Sequence, residues 1–147
     1  MSVQNPGTPE LSLSDAVKAA YTYAYPLVLM DLTRLVSTNV SSVDAASGKA
    51  PMNQFSLSRT FVNASQTDVV RPNADTLYCL AWLDLGPEPL VMSVGEIGIY
   101  YMLPFVNGWT NVLKVPPNQC SIGTANGDNT AANYALCGPY FDGALPP

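Results

Sequence analysis

The chain has 147 residues, of which 48% are hydrophobic and only 12% charged, with a net charge of −5 and no histidine. This composition excludes a disordered chain and, with six scattered Lys and Arg residues, phosphate-driven binding of nucleic acid. The missing imidazole excludes Ser/His and Cys/His nucleophile pairs and most zinc, copper and non-haem iron sites.

The length suits one domain with a core of its own. So few charges leave little to keep copies apart, so an oligomer or an uncovered interface is expected. Thirteen prolines and ten glycines cut the chain into short runs, which favours β architecture over a helical bundle. No apolar run reaches bilayer-spanning length, and no basic run is present to hold an anionic lipid surface. The opening MSVQNPGTPE has neither the basic nor the apolar region of a secretory leader. The expectation is a cytoplasmic chain with no membrane partner, in which the glycosylation patterns at Asn39 and Asn63 are accidental.

Residues 1–13 read as a flexible N-terminal arm and 14–147 as a single domain, helical at about 14–38 and a β-sandwich at about 53–147. In SLSDAVKAAYTYAYPLVLMDLTRLVSTN, Ser14 can cap the helix and Asp15 suits its positive end. Val17, Ala20, Tyr21, Ala24, Val28, Leu32 and Leu35 recur at threes and fours, predicting one apolar face. Pro26 removes a backbone donor and predicts a kink or split near Tyr25. Residues 41–51 read as a flexible connector, and NQFSLSRTFVN at 53–63 as a short strand or extended segment.

From Thr76 the character changes. TLYCLAWLDL, PLVMSV, GIYYMLPFV, NVLKVPP, CSIGT and YALCGPYF are short apolar runs parted by Gly, Pro, Asn and Asp, the spacing of an antiparallel meander or sandwich. The first run is apolar on both faces, which predicts a central strand. Cys79, Cys120 and Cys137 form neither a disulfide framework nor a zinc site. Free, mostly buried thiols are expected, and a Cys120–Cys137 bridge requires that their strands pair. With no glycine-rich phosphate loop, no cofactor is expected. Asn126, Asp128 and Asn129 could offer oxygens to calcium, but one carboxylate is too few and a surface turn is the plainer reading.

The densest polar cluster is DVVRPNADTLYCLAWLDL, residues 68–85. Pro72 presets a turn, Asn73 tolerates the left-handed conformation that can follow, and Asp75 can accept from backbone N–H groups. Arg71 carries a planar fork suited to a carboxylate, with Asp68, Asp75 and Asp84 as candidates. Two readings stand. In one, Arg71 forms an ion pair that anchors the strand entry. In the other, Arg71 and Asn73 bind an anionic ligand while Asp75 acts as acid or base. Tyr100, Tyr101 and Trp109 add a stacking platform for a sugar or flat ligand, or else belong to a core or interface.

The blocks YTYAYPLVLMDLTR, NQFSLSRTF, RPNADTLY, EPLVMSV, YYMLPFVNGWTNV and YALCGPYFDGALP, in this order, resemble the domain-of-unknown-function family 1254 over roughly residues 20–146. The resemblance implies an immunoglobulin-like β-sandwich preceded by helix, forming the first half of two-domain 1254/1214 proteins whose second half is a jelly-roll-like companion. Bacterial members are commonly exported. On this resemblance the chain is expected to lack both the leader and the companion, and Leu57 and Ile99 stand where members often carry histidine and arginine. The expectation is a module that is not an enzyme on its own and works by association, as a homo-oligomer or with a companion β-domain. The alternatives are a ligand-binding or catalytic half of a small-molecule or glycan-active protein, and a degenerate remnant.

Overall fold

A computed structural model describes residues 11–67, 70–114, 121–123 and 130–144. They form one N-terminal helix and two small antiparallel sheets. Helix α1 runs Leu13–Thr38, and its N-cap is Ser12 rather than Ser14. The Ser12 hydroxyl accepts from the Asp15 N–H at 3.2 Å and donates to the Asp15 carboxylate at 2.7 Å. That pairing needs Ser and Asp three positions apart, which Ser12 satisfies and Ser14 does not. The helix continues through Pro26 as one span, so the missing donor neither ends nor splits it.

The face of α1 that meets the rest of the chain is not the predicted one. Tyr23 stacks on Trp109 with ring centroids 4.7 Å apart, and Leu27 packs against Gly108. The half-buried positions Leu27, Met30, Arg34 and Ser37 continue this line by threes and fours. Val17, Tyr21, Ala24, Val28, Leu32 and Leu35 lie on another side and stay exposed, and no residue of α1 is buried. The helix is apolar on more than one side, so periodicity alone did not select the docked face.

The stretch at 41–51 folds as a turn. Asp44 and Lys49 exchange backbone hydrogen bonds, and the Asp44 carboxylate accepts from the Ser47 hydroxyl at 2.6 Å and from the Ala46 and Ser47 N–H groups. The Ser47 hydroxyl bond, with those N–H groups, holds the Asp44 carboxyl below the usual carboxylate range. Ala50 donates to the Ser37 carbonyl at 3.2 Å and ties the turn to the end of α1.

β1 (Ser56–Leu57) pairs with β2 (Cys79–Leu80), setting Ser56 opposite Leu80 and Leu57 opposite Cys79. β2 is therefore one of two strands, not central to a larger sheet among the described residues, and Leu77, Tyr78 and Leu80 are exposed. β3 (Leu90–Val94) pairs with β4 (Ala132–Leu136) in a five-residue register from Leu90↔Leu136 to Val94↔Ala132.

The β3–β4 sheet carries the core by simple alternation. Met92 and Val94 are buried while Val91 and Ser93 face out. Tyr134 and Leu136 join the same side of β4, and Ile122, Ile97, Tyr101, Leu103 and Phe105 cover it. Leu103 bridges Ile122, and Val106 bridges Val112, each antiparallel. The predicted runs GIYYMLPFV, NVLKVPP and CSIGT thus meet through single bridges rather than full strands. Among the described residues no large side chain is fully buried.

Candidate functional site

The Arg71–Asp75 segment is a self-contained turn. The Asn73 N–H donates to the Tyr78 hydroxyl at 2.7 Å, and the Asp75 N–H donates to the Asn73 side-chain oxygen at 2.9 Å. Asn73 is thus held from both sides, its backbone by the ring at the start of β2 and its side chain by the turn it closes. Arg71, Asn73 and Asp75 are all exposed. Among the described residues Arg71 forms no ion pair, with Asp75 and Asp84 both out of reach. Asp68 lies outside the described residues. Asp84 instead accepts from the Gly86 N–H at 3.0 Å and closes the next turn.

Asn53 links this block to the segment before it, a role the sequence reading did not assign. Its N–H donates to the Trp82 carbonyl at 2.8 Å, and its side-chain oxygen accepts from the Asp84 N–H at 2.7 Å. Its φ of 63° is left-handed, which asparagine tolerates better than most residues. Trp82 accepts the first of these bonds at its carbonyl, and its indole nitrogen is buried without a partner among the described residues. An unsatisfied buried donor costs about 1–3 kcal/mol. Trp82→Phe removes that donor and keeps most of the ring, so the thermal midpoint is expected to stay level or rise. A loss above about 2 kcal/mol would show that the indole has an acceptor.

Cys79 and Cys137 are free; Cys79 is exposed rather than buried, Cys137 half-buried, and Cys120 lies outside the described residues. Although the Cys79 residue is exposed overall, partial burial of its thiol pushes its pKa up. The fold therefore favours the neutral thiol, and that contribution is full below the free-thiol value and declines as pH rises through about 8.5. In a chain with Cys120→Ser and Cys137→Ser, iodoacetamide labelling of Cys79 is expected to stay slow through neutral pH. Its rate should climb only above about pH 8.5. Fast labelling at pH 7 would contradict the burial.

The aromatic candidates are not gathered into one platform. Tyr101 packs on the core side, Tyr100 points outward, and Trp109 stacks on Tyr23 of α1 at an interplanar angle of 59°. Asn107 organises the Trp109 loop, its side-chain oxygen accepting from the Trp109 and Asn111 N–H groups at 3.0 and 3.1 Å. Thr110 in the same loop has φ of 65°, a strained conformation for a β-branched residue. The Asn107-Gly108 pair is a turn signal that marks this loop in the sequence, one the sequence reading did not use.

A cavity of about 370 Å³ lies elsewhere, between Leu85–Pro89 and Gly138–Asp142 at one end of the β3–β4 sheet. Among the described residues no group of three or more Cys, Asp or Glu side chains is placed to hold a metal ion, and no helix is long and apolar enough to cross a membrane. The candidate calcium loop at Asn126, Asp128 and Asn129 lies outside the described residues.

These features define a small helix-and-sheet unit whose most polar segment is a turn closed on itself. The chain belongs to the family described as Protein of unknown function (DUF1254), whose model matches residues 52–147. The matched residues include the Arg71–Asp75 turn and both sheets, and they begin after α1. No curated protein and no solved structure matches the chain. The two positions that the resemblance sets apart from the family pattern are both on the surface. Leu57 is exposed opposite Cys79, and Ile99 is exposed in the loop after β3.

Proposed function

We propose that the chain is a β-sandwich module, non-catalytic on its own, that works by association with itself or with a companion β-domain. In this reading the immunoglobulin-like sandwich is completed by association, with strands or side chains of a partner covering the two small sheets. The observation that supports it most is the balance of apolar surface. The buried hydrophobic core among the described residues is Ala50, Met92, Val94 and Ile122, while large side chains along α1, β1, β2 and the 99–113 segment stand exposed. A chain with so few charges has little to solvate such a surface. Light scattering of the purified chain is expected to give a mass above that of one copy. A clean, soluble monomer would sink the association reading.

A second reading keeps the site. Neither the Arg71 guanidinium nor the Asp75 carboxylate has a side-chain partner among the described residues, so both are available to a small-molecule or glycan ligand, with Tyr100, Tyr101 and Trp109 as stacking residues. Because Arg71 is exposed, Arg71→Ala is expected to change stability by less than about 0.5 kcal/mol. A thermal-shift screen of small carboxylates and acidic sugars on wild type and Arg71→Ala then decides it. A compound that stabilises wild type alone favours the site; equal shifts in both remove Arg71 from it.

A further inference from the structure

We infer that Asn107 is a site of self-modification: its loop activates the side-chain amide for attack by the Gly108 backbone nitrogen, and the rearranged product loosens the hold of this loop on α1. The loop is the tip of a hairpin. Leu113 donates to the Phe105 carbonyl at 2.7 Å, Asn107 to the Asn111 carbonyl at 3.0 Å, and Thr110 to the Asn107 carbonyl at 2.9 Å. Inside this tip the Asn107 side-chain oxygen accepts from the Trp109 and Asn111 N–H groups at 3.0 and 3.1 Å. That oxygen gains negative charge when the amide carbon is attacked, so two fixed donors already stand where the charge develops. The attacking and leaving nitrogens are held by no such bonds. Among the described residues neither the Gly108 N–H nor the Asn107 side-chain nitrogen has a hydrogen-bond partner. Gly108 is exposed and has no side chain to crowd the approach. The two groups are neighbours in the chain, which makes the step intramolecular.

The reaction balances with water alone. The Gly108 nitrogen gives its proton to water or hydroxide and bonds to the Asn107 side-chain carbon. The tetrahedral oxyanion collapses, the bond to the side-chain nitrogen breaks, and that nitrogen takes a proton and leaves as ammonia. Water then opens the cyclic imide at either carbonyl. Opening at the main-chain carbonyl gives isoaspartate, whose backbone runs through the former side chain and is one carbon longer. Opening at the side-chain carbonyl gives aspartate, which keeps an oxygen for the Trp109 and Asn111 N–H groups. The longer backbone shifts the next two residues, and these are the ones that meet α1. A Cβ on Gly108 would lie 3.3 Å from Leu27, and the Trp109 ring lies 4.7 Å from that of Tyr23.

Peptide mapping of the full chain, aged at mildly alkaline pH in buffer and in urea, tests the activation. Trypsin cuts after Lys114 and so separates Asn107 from the same dipeptide at Asn126-Gly127. Conversion at Asn107 is expected to be at least as fast in the native chain as in the unfolded one. A slower rate in the native chain means that the loop restrains Asn107, and overturns the inference. The consequence is read in a Trp82→Phe chain, which leaves Trp109 as the remaining tryptophan. Its emission is expected to move to longer wavelength as isoaspartate accumulates, followed with a protease that cuts before aspartate and not before isoaspartate. Freshly prepared Asn107→Asp in the same background supplies the other product and is expected to keep the unaged emission. Full conversion with no change in emission, or the same shift in Asn107→Asp, overturns the loosening of α1.

Discussion

Gly123→Ala is expected to unfold the β3–β4 unit or to lower its urea midpoint by the equivalent of about 3 kcal/mol or more. Gly123 has φ of +118°, and a Cβ built there lies 2.7 Å from both the Tyr101 carbonyl oxygen and the Tyr101 ring. Backbone strain and overlap with a backbone atom act together, and a carbonyl cannot swing aside as a flexible side chain can. The position matters because Ile122, its neighbour, is 5% exposed and bridges Leu103 across the core. Gly138→Ala acts at the other end of the same sheet, where the new Cβ would overlap the Leu85 carbonyl. Gly95→Ala is the control, since nothing lies within 4 Å of its added carbon. Urea titrations of the three variants should rank Gly95→Ala near wild type and the other two far below. Three equal midpoints would mean that Tyr101 and Leu85 do not sit where the structure puts them.

What the sequence revealed follows how local each determinant is. The extent of α1 was legible because its capping and periodicity lie within one stretch; the cap moved by two residues because its bonds to Asp15 need a serine three positions before it, which is Ser12 and not Ser14. The docked face was not legible. Tyr23 and Leu27 are no more apolar than Tyr21 and Val28, and only the Trp109 loop, more than eighty positions on, distinguishes them. β3 and β4 were legible as runs, but their pairing spans the whole 95–131 excursion and left no mark in either run. The strand predicted at 76–85 shrank to Cys79–Leu80 because apolar residues on both faces say that a segment is sticky, not that it has two neighbours. In the candidate site, the turn at Pro72, Asn73 and Asp75 was legible from turn chemistry. The unpaired state of Arg71 among the described residues was not, since Asp68, Asp75 and Asp84 all stood as candidates and the fold brings neither Asp75 nor Asp84 within reach. The cavity between Leu85–Pro89 and Gly138–Asp142 was invisible because each half is an ordinary Gly-Pro turn until the sheet brings them together.

Met92→Ala and Val91→Ala, neighbours on β3, are expected to differ by about 2 kcal/mol or more in stability. Met92 is 8% exposed and packs with Val94 and Ile122, whereas Val91 is 62% exposed on the other side of the same strand. Truncating a buried methionine removes its transfer free energy and leaves a cavity, about 2–5 kcal/mol in all, while an exposed valine gives up about 0.5 kcal/mol, chiefly β-propensity. The effect of Met92→Ala is large relative to the whole, because the buried cluster of this sheet has three members and a small domain holds only about 5–15 kcal/mol of net stability. The comparison also separates the core from the interface. If a partner covers the outer face of β3, Val91→Ala will lower the midpoint of the assembled protein and the loss will fade on dilution to single copies. The Met92→Ala loss stays at every concentration, since it arises inside one copy. Equal, concentration-independent losses at both positions would mean that β3 is covered on both faces within a single chain, which is more than the one inner face that a two-layer sandwich covers.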